Sequence, residues 1–291
     1  MKLSHLFAAS LLSLAFCQVT HAAEASETII IGSADFPESQ VLATIYADAL
    51  AAKNIHVERK MNIGSREVYM PALIDGSVNL MPEYTGAALQ YFDKKSQAKT
   101  TEQVAGDLVK ALPKGITMLT PSQAQDVVTL AVTEKTAEKF KLKDIGDLKT
   151  HSQSMTLGGP AEWKTRPEGL PGLKSVYGLE FKSYKTLDVC GPLTLSALVN
   201  GQVNVACVFS TDPSIKTRNL VSLNDTQNLN PVQNVVPLIS SAKVNSTVTD
   251  TLNAISQALT TQDLIAMNAR LDNHDDYDVI ASDWLKAHKL N

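Results

Sequence analysis

Ala72-Leu73-Ile74-Asp75-Gly76-Ser77-Val78-Asn79 returns 125 residues later as Ala197-Leu198-Val199-Asn200-Gly201-Gln202-Val203-Asn204, with five of eight positions identical. Each copy reads as the end of a helix, a turn containing Gly and entry into a strand. The register continues, setting Pro82-Glu83-Tyr84-Thr85-Gly86 against Cys207-Val208-Phe209-Ser210-Thr211. Tyr84 and Phe209 therefore fall just past the carboxyl end of a buried strand, which is where open α/β sheets bind ligands. Convergence of helix-Gly-strand corners is the plainer explanation. Two similar α/β lobes, each presenting an aromatic and then a hydroxyl to a shared cleft, is the sharper one.

The rest of the chain repeats the same device. Thr28 to Ser33 is a β-rich run ending at Gly32, and Pro37 and Glu38 then open a stretch with Val41, Leu42, Ile45, Ala49 and Ala52 at helical spacing. Strands are expected at Val57-Glu58-Arg59, Val78 to Met81, Asp126 to Val132 and Met155 to Leu157. Helices are expected over Arg66 to Ile74, Thr136 to Phe140, Val248 to Leu259 and Asp283 to His288. Strand alternating with helix predicts an α/β fold, and 291 residues suffice for two lobes with a sizeable core. The net charge of −4, without a basic cluster, argues against a nucleic-acid partner. Aromatic residues make up only 5% of the chain, so a ring placed at a strand end calls for an explanation.

Lys2 followed by the apolar stretch Leu6 to Val19, with Thr20-His21-Ala22 closing it, reads as an export signal cleaved after Ala22, with cleavage after Ala25 as the alternative. Lipid attachment at Cys17 is disfavoured because Phe16 stands where a small residue is required. The protein is then expected in the periplasm. Removing the leader leaves Cys190 and Cys207 as an even pair. An oxidising compartment favours a structural disulfide between them; two free thiols buried on neighbouring strands is the alternative.

Signatures of catalysis are missing. The chain contains no G-x-S-x-G elbow, no P-loop and no H-E-x-x-H. His56, His151, His274 and His288 stand at no metal spacing, and the acidic Asp272 to Asp278 stretch lacks the Gly and terminal Glu of a calcium loop. No enzyme activity, metal or cofactor is expected.

Several stretches resemble the substrate-binding proteins of ABC importers for glycine betaine, carnitine and choline. They are Ile31-Gly32-Ser33 with Phe36 and Glu38; Pro82-Glu83-Tyr84-Thr85-Gly86; Gly158-Gly159-Pro160 leading into Arg166-Pro167-Glu168-Gly169-Leu170-Pro171-Gly172-Leu173; and Phe209-Ser210-Thr211-Asp212. The resemblance implies the two-lobed periplasmic-binding-protein fold of type II, with an interlobe cleft and a two-strand hinge. The chain would cross near Leu130 to Thr133 and return near Val232 to Leu238. That divides it into a leader (1–22), lobe I (23–131), lobe II (132–235) and a return to lobe I (236–291).

In that family a trimethylammonium head sits among aromatic rings, since a quaternary ammonium donates no conventional hydrogen bond and is held by ring faces. The resemblance makes Tyr84 a cage ring, Arg166 the clamp for a carboxylate tail, and Phe209 a ring in a tyrosine's place. Ala34 stands where many members carry lysine, and Val127, Val128 and Val232 stand where further rings are expected. Two of four cage positions thus keep a ring. Trp163, three residues before Arg166, is a candidate substitute on the cleft rim. Asp35 and Asp126 are candidates for hydrogen bonds to a ligand or for backbone caps. Phe36, Ser33, Thr85, Ser210 and Thr211 are similarly placed.

The expected function is an extracytoplasmic solute-binding protein of an ABC importer, monomeric, with a small solute and an inner-membrane permease as partners. Quaternary ammonium osmoprotectants are the default ligands. The depleted cage leaves room for an amino-acid-like, anionic or larger apolar solute, or for a sensor or exported enzyme on the same scaffold.

Overall fold

A computed structural model describes residues 28–291; the leader with Cys17 lies outside the described residues. Among the described residues, ten strands form two five-stranded sheets. They are β1 (Ile29–Gly32), β2 (Val57–Lys60), β3 (Leu80–Tyr84), β4 (Ile116–Met118), β5 (Val128–Thr133), β6 (Thr156–Gly159), β7 (Ser183–Thr186), β8 (Val205–Phe209), β9 (Leu220–Ser222) and β10 (Val235–Ser240). The first sheet runs β2-β1-β3-β10-β4 and the second β7-β6-β8-β5-β9. In the first, β1 is parallel to β2 and β3, and β10 is antiparallel to β3 and β4. In the second, β6 is parallel to β7 and β8, and β5 is antiparallel to β8 and β9. One topology is built twice.

The repeated octapeptide is the corner of that topology. The helix Arg66–Asp75 ends at Gly76 with φ +85°, and the helix Pro192–Val199 is followed by Gly201 with φ +68°, both in the left-handed region that glycine occupies without a Cβ clash. The Asn that closes each copy then joins its strand to the neighbouring one. Asn79 accepts from the Ile30 amide at 3.0 Å, and Asn204 accepts from the Thr156 amide at 2.8 Å. So the match has a shared physical cause, and Tyr84 and Phe209 are the last residues of the equivalent strands β3 and β8.

The long helix Pro37–Ala51 carries proline in its first turn and Glu38 beside it, as a helix start should. It is buried along most of its surface, with Val41, Leu42, Ile45, Tyr46 and Leu50 at 0–1% exposure. The reason is that the sheet covers one side and the C-terminal helices Ser246–Ala258, Thr261–Asp272 and Tyr277–His288 cover the other. Lobe I therefore needs the returning chain to complete its core.

Two extended connections link the sheets and pair with each other. Gln125 bridges Asn234, the Asp126 amide donates to the Gln233 carbonyl, and the Val235 amide donates to the Ala124 carbonyl. The boundary expected at 131 falls inside β5, all of which belongs to the second sheet, and the boundary at 235 falls on the first residue of β10. The paired stretch is 124–126 with 233–235. It sits a few residues ahead of the expected outward crossing because β5 pairs with β8 from Val128 onward. Asp126 thus lies on the hinge as well as at the cleft.

Candidate functional site

The cleft between the lobes is walled by the strand ends and the loops after them. Lobe I supplies Ala34, Asp35 and Phe36 after β1, Arg66 and Tyr69 on the helix Arg66–Asp75, and Tyr84 at the end of β3. Lobe II supplies Val128, Trp163, Arg166, Glu168, Val189, Cys190 and Phe209, and the connections add Asp126, Asn230 and Gln233. Rings at Phe36, Tyr69, Tyr84, Trp163 and Phe209 line one space. Counting matched cage positions understates this. Trp163 and Tyr69 enter from a short turn and a helix rather than from the valine positions of the strands.

Phe36 of lobe I stacks on Phe209 of lobe II with ring centres 5.2 Å apart and planes 26° apart, and stands 6.0 Å from Tyr84. Trp163 is 3% exposed in the turn Ala161–Lys164. The Tyr84 hydroxyl donates to Glu38 Oε1 at 2.7 Å, so this ring is held from behind and its face is left for the cleft.

Glu38 and Asp126 form a buried acidic pair under the rings, 4% and 3% exposed. Glu38 Oε2 accepts from Thr211 Oγ1 at 2.7 Å and from Asn268 Nδ2 at 2.6 Å. Asp126 Oδ1 accepts from Ser210 Oγ and from the Thr211 amide, both at 3.2 Å. Burial foremost pushes both carboxyls up, and the Glu38 charge adds to the rise at Asp126. Hydrogen bonds from Thr211 and its neighbours pull the other way and lose.

Arg166 lines the cleft, where it makes a two-pronged pair with Glu67 of the opposite lobe: Nε to Oε1 at 2.9 Å and Nη2 to Oε2 at 2.7 Å. Glu168 stands 4.0 Å from its Nη1. Partial burial opposes ionisation of Glu67, but the Arg166 hydrogen bonds and charge bring its carboxyl pKa down to about 2. Arg166 therefore ties the two lobes together. A carboxylate ligand would have to displace Glu67 to use it.

A second arginine, expected from sequence only as a helix start, lies deeper. Arg66 pairs with Glu83 through Nε–Oε2 at 2.8 Å and Nη2–Oε1 at 2.9 Å, and the Tyr69 hydroxyl joins Oε1 at 2.7 Å. Burial works against the guanidinium charge, and Glu83 more than restores it. The signal was present in Glu83, next to Tyr84, but its partner lies 17 positions back on another element.

Thr85, Ser210, Thr211 and Ser33 hold the walls rather than line the cleft. Thr85 Oγ1 accepts from the Asn234 amide at 3.1 Å and so ties β3 to the return connection. Ser210 and Thr211 hold Asp126 and Glu38 as described, and the Ser33 hydroxyl accepts from the Asn62 amide at 2.8 Å. Asp35 is an exposed residue on the rim. Cys190 and Cys207 are joined in a disulfide, and Cys190 forms part of the cleft wall.

Glycines shape the loop that carries Trp163 and Arg166. A Cβ on Gly169 would lie 2.1 Å from the Trp163 carbonyl oxygen, and one on Gly172 would lie 1.9 Å from the Pro167 oxygen. Backbone atoms cannot swing aside as a side chain can. Gly172→Ala is expected to cost about 1–3 kcal/mol and to weaken ligand binding by shifting Trp163; thermal unfolding and calorimetry would register both. An unchanged melting temperature would show that the loop yields freely.

The family described as "Substrate binding domain of ABC-type glycine betaine transport system" matches residues 27–287. The glycine betaine-binding protein YehZ of Escherichia coli (strain K12) is 27% identical over 98% of each chain. The carnitine transport binding protein OpuCC of Listeria monocytogenes serotype 1/2a is 25% identical over 84% of this chain and 82% of its own. Among solved structures, one described as a glycine betaine/carnitine/choline ABC transporter superposes with a TM-score of 0.71 at 24% identity, covering 90% of this chain and 99% of that one. That likeness shows the two-lobed binding-protein fold. With a family match running from the first strand to the last helix, the chain belongs to the substrate-binding proteins of glycine betaine-type ABC importers.

Proposed function

We propose that the protein captures a small quaternary ammonium solute between its lobes and delivers it to a membrane permease. The observation that carries this reading is the convergence of Phe36 and Tyr84 from lobe I with Trp163 and Phe209 from lobe II on one cleft. A methylated ammonium has no N–H to give and is attracted by ring faces, at about 0.5–2 kcal/mol per ring depending on desolvation. Rings contributed by both lobes make the ligand a bridge, so binding favours the closed form. The leader-like start of the chain supports export to the periplasm, and the partners in this reading are the solute and the permease, with a monomer as the working unit. No chemistry is performed on the solute.

Titration calorimetry with choline, glycine betaine and carnitine tests the reading. At least one should bind, and Phe209→Ala and Trp163→Ala should each weaken it by about three- to thirtyfold. No heat from any of the three overturns the ligand class.

A further inference from the structure

Asp126 Oδ2 is buried and has no hydrogen-bond partner among the described residues, although Asp126 lines the cleft. Such atoms are uncommon in native folds and ask for a reason. The other oxygen of the same carboxyl is served by Ser210 and Thr211, so the group is half satisfied.

The charges around it sharpen the point. Donors to Glu38 and Asp126 are all neutral: the Tyr84 and Thr211 hydroxyls, the Asn268 amide, the Ser210 hydroxyl and the Thr211 backbone. The two arginines that line the same cleft are each taken by a carboxylate in two-pronged fashion, Arg66 by Glu83 and Arg166 by Glu67, and Glu168 stands beside Arg166 as well. Asp35 adds a further acid on the rim. Among the described residues, the cleft therefore holds more carboxyl groups than cations to pair with them. A zwitterion would bring its own carboxylate into this surplus of carboxyl groups.

Resting on the ligand class proposed above, we propose that the site selects a cation that lacks a carboxylate and carries a hydroxyl or N–H donor, which is given to Asp126 Oδ2. Asp126 is then the specificity-determining residue. Rings read the methylated head by its π-face complementarity; Asp126 reads the tail by hydrogen bond and charge. Burial raises the Asp126 carboxyl, and an arriving cation offsets that by favouring the ionised form, in which Oδ2 accepts from the ligand; such a charge-assisted bond is stronger than one between neutral partners, and leaving the acceptor unpaired costs the complex that lacks it. Like-charge juxtaposition adds to the rejection of a carboxylate tail.

Choline and glycine betaine share one head and differ in the tail, hydroxyl against carboxylate, so titrating both into the purified protein isolates the tail. Wild type is expected to bind choline at least about tenfold more tightly than glycine betaine. Asp126→Asn keeps an oxygen for Ser210 and the Thr211 amide but removes the charge. It should weaken choline by about tenfold and leave glycine betaine unweakened, closing the gap. Glycine betaine binding as tightly as choline to wild type overturns the proposal, as does an Asp126→Asn variant that weakens both ligands equally. Either result leaves the ligand class standing. Absence of binding by both defeats the ligand class and this inference together. Should Asp126→Asn fail to fold, the wild-type comparison alone decides.

Discussion

Replacing Glu83 by Ala is expected to remove about 3–5 kcal/mol of folding stability, read from urea or thermal unfolding. Glu83 is 1% exposed, and its two oxygens take both prongs of Arg66 and the Tyr69 hydroxyl. Truncation leaves a guanidinium, itself at 10% side-chain exposure, without its counter-charge in a site water barely reaches. The size of the loss measures that stranded charge rather than the net worth of the pair, because bringing two ions out of water already costs most of what their attraction returns. A paired replacement separates the two. Arg66→Met with Glu83→Gln removes both charges and keeps an acceptor for Tyr69, so it should recover most of the lost stability. A Glu83→Ala loss below about 1 kcal/mol would mean that the pair is solvated like a surface ion pair. Because Arg66 and Tyr69 line the cleft, the same variant should also weaken ligand binding, and the paired replacement should restore that only in part.

This pair also shows which features the amino-acid order discloses. Glu83-Tyr84-Thr85-Gly86 is conspicuous as a motif, and each residue has a separate task in the fold. Glu83 neutralises Arg66, Tyr84 presents a ring, and Thr85 ties down the return connection. Gly86 lets the corner approach the Val232 carbonyl, where a Cβ would stand 2.5 Å from the oxygen. Local pattern exposes the strand end and its ring because both follow from chain periodicity. It does not expose Arg66, because a helix start with arginine looks like any solvated helix start until the opposing carboxylate is placed. Likewise the octapeptide repeat revealed the doubled topology, since its glycines and asparagines satisfy the same local needs in each lobe. Trp163 was a candidate ring from its place three residues before Arg166, whereas Tyr69 was missed because it reaches the cleft through tertiary packing. Arg166 fitted the role of a carboxylate clamp in sequence and meets Glu67, 99 positions away, in the folded chain.

The disulfide yields the other large effect. Converting Cys190 and Cys207 together to Ala is expected to cost about 3 kcal/mol, the loop-closure value for a separation of this size. The bridge spans 17 residues, and both cysteines are buried, at 2% and 0% exposure. Cys207 sits within β8, a strand of the second core, while Cys190 lies in the loop after β7. The consequence for function follows from the backbone. Cys190 has φ +54°, a left-handed conformation that disfavours a side-chain-bearing residue by about 1–2 kcal/mol. Without the bond to β8 the loop keeps the hydrogen bonds that Leu193 and Thr194 donate to Asp188 but loses its covalent tie, so Cys190 is expected to relax from that conformation and, with Val189, to withdraw from the cleft wall. Ligand affinity should therefore fall with stability, and dithiothreitol applied to wild type should reproduce both losses. An oxidising compartment preserves the bond, whereas reducing cytosol would leave the loop unpinned from β8. Equal unfolding curves for the double variant and wild type would show that the bond contributes nothing. A lowered midpoint with unchanged affinity would confine its role to the core of lobe II.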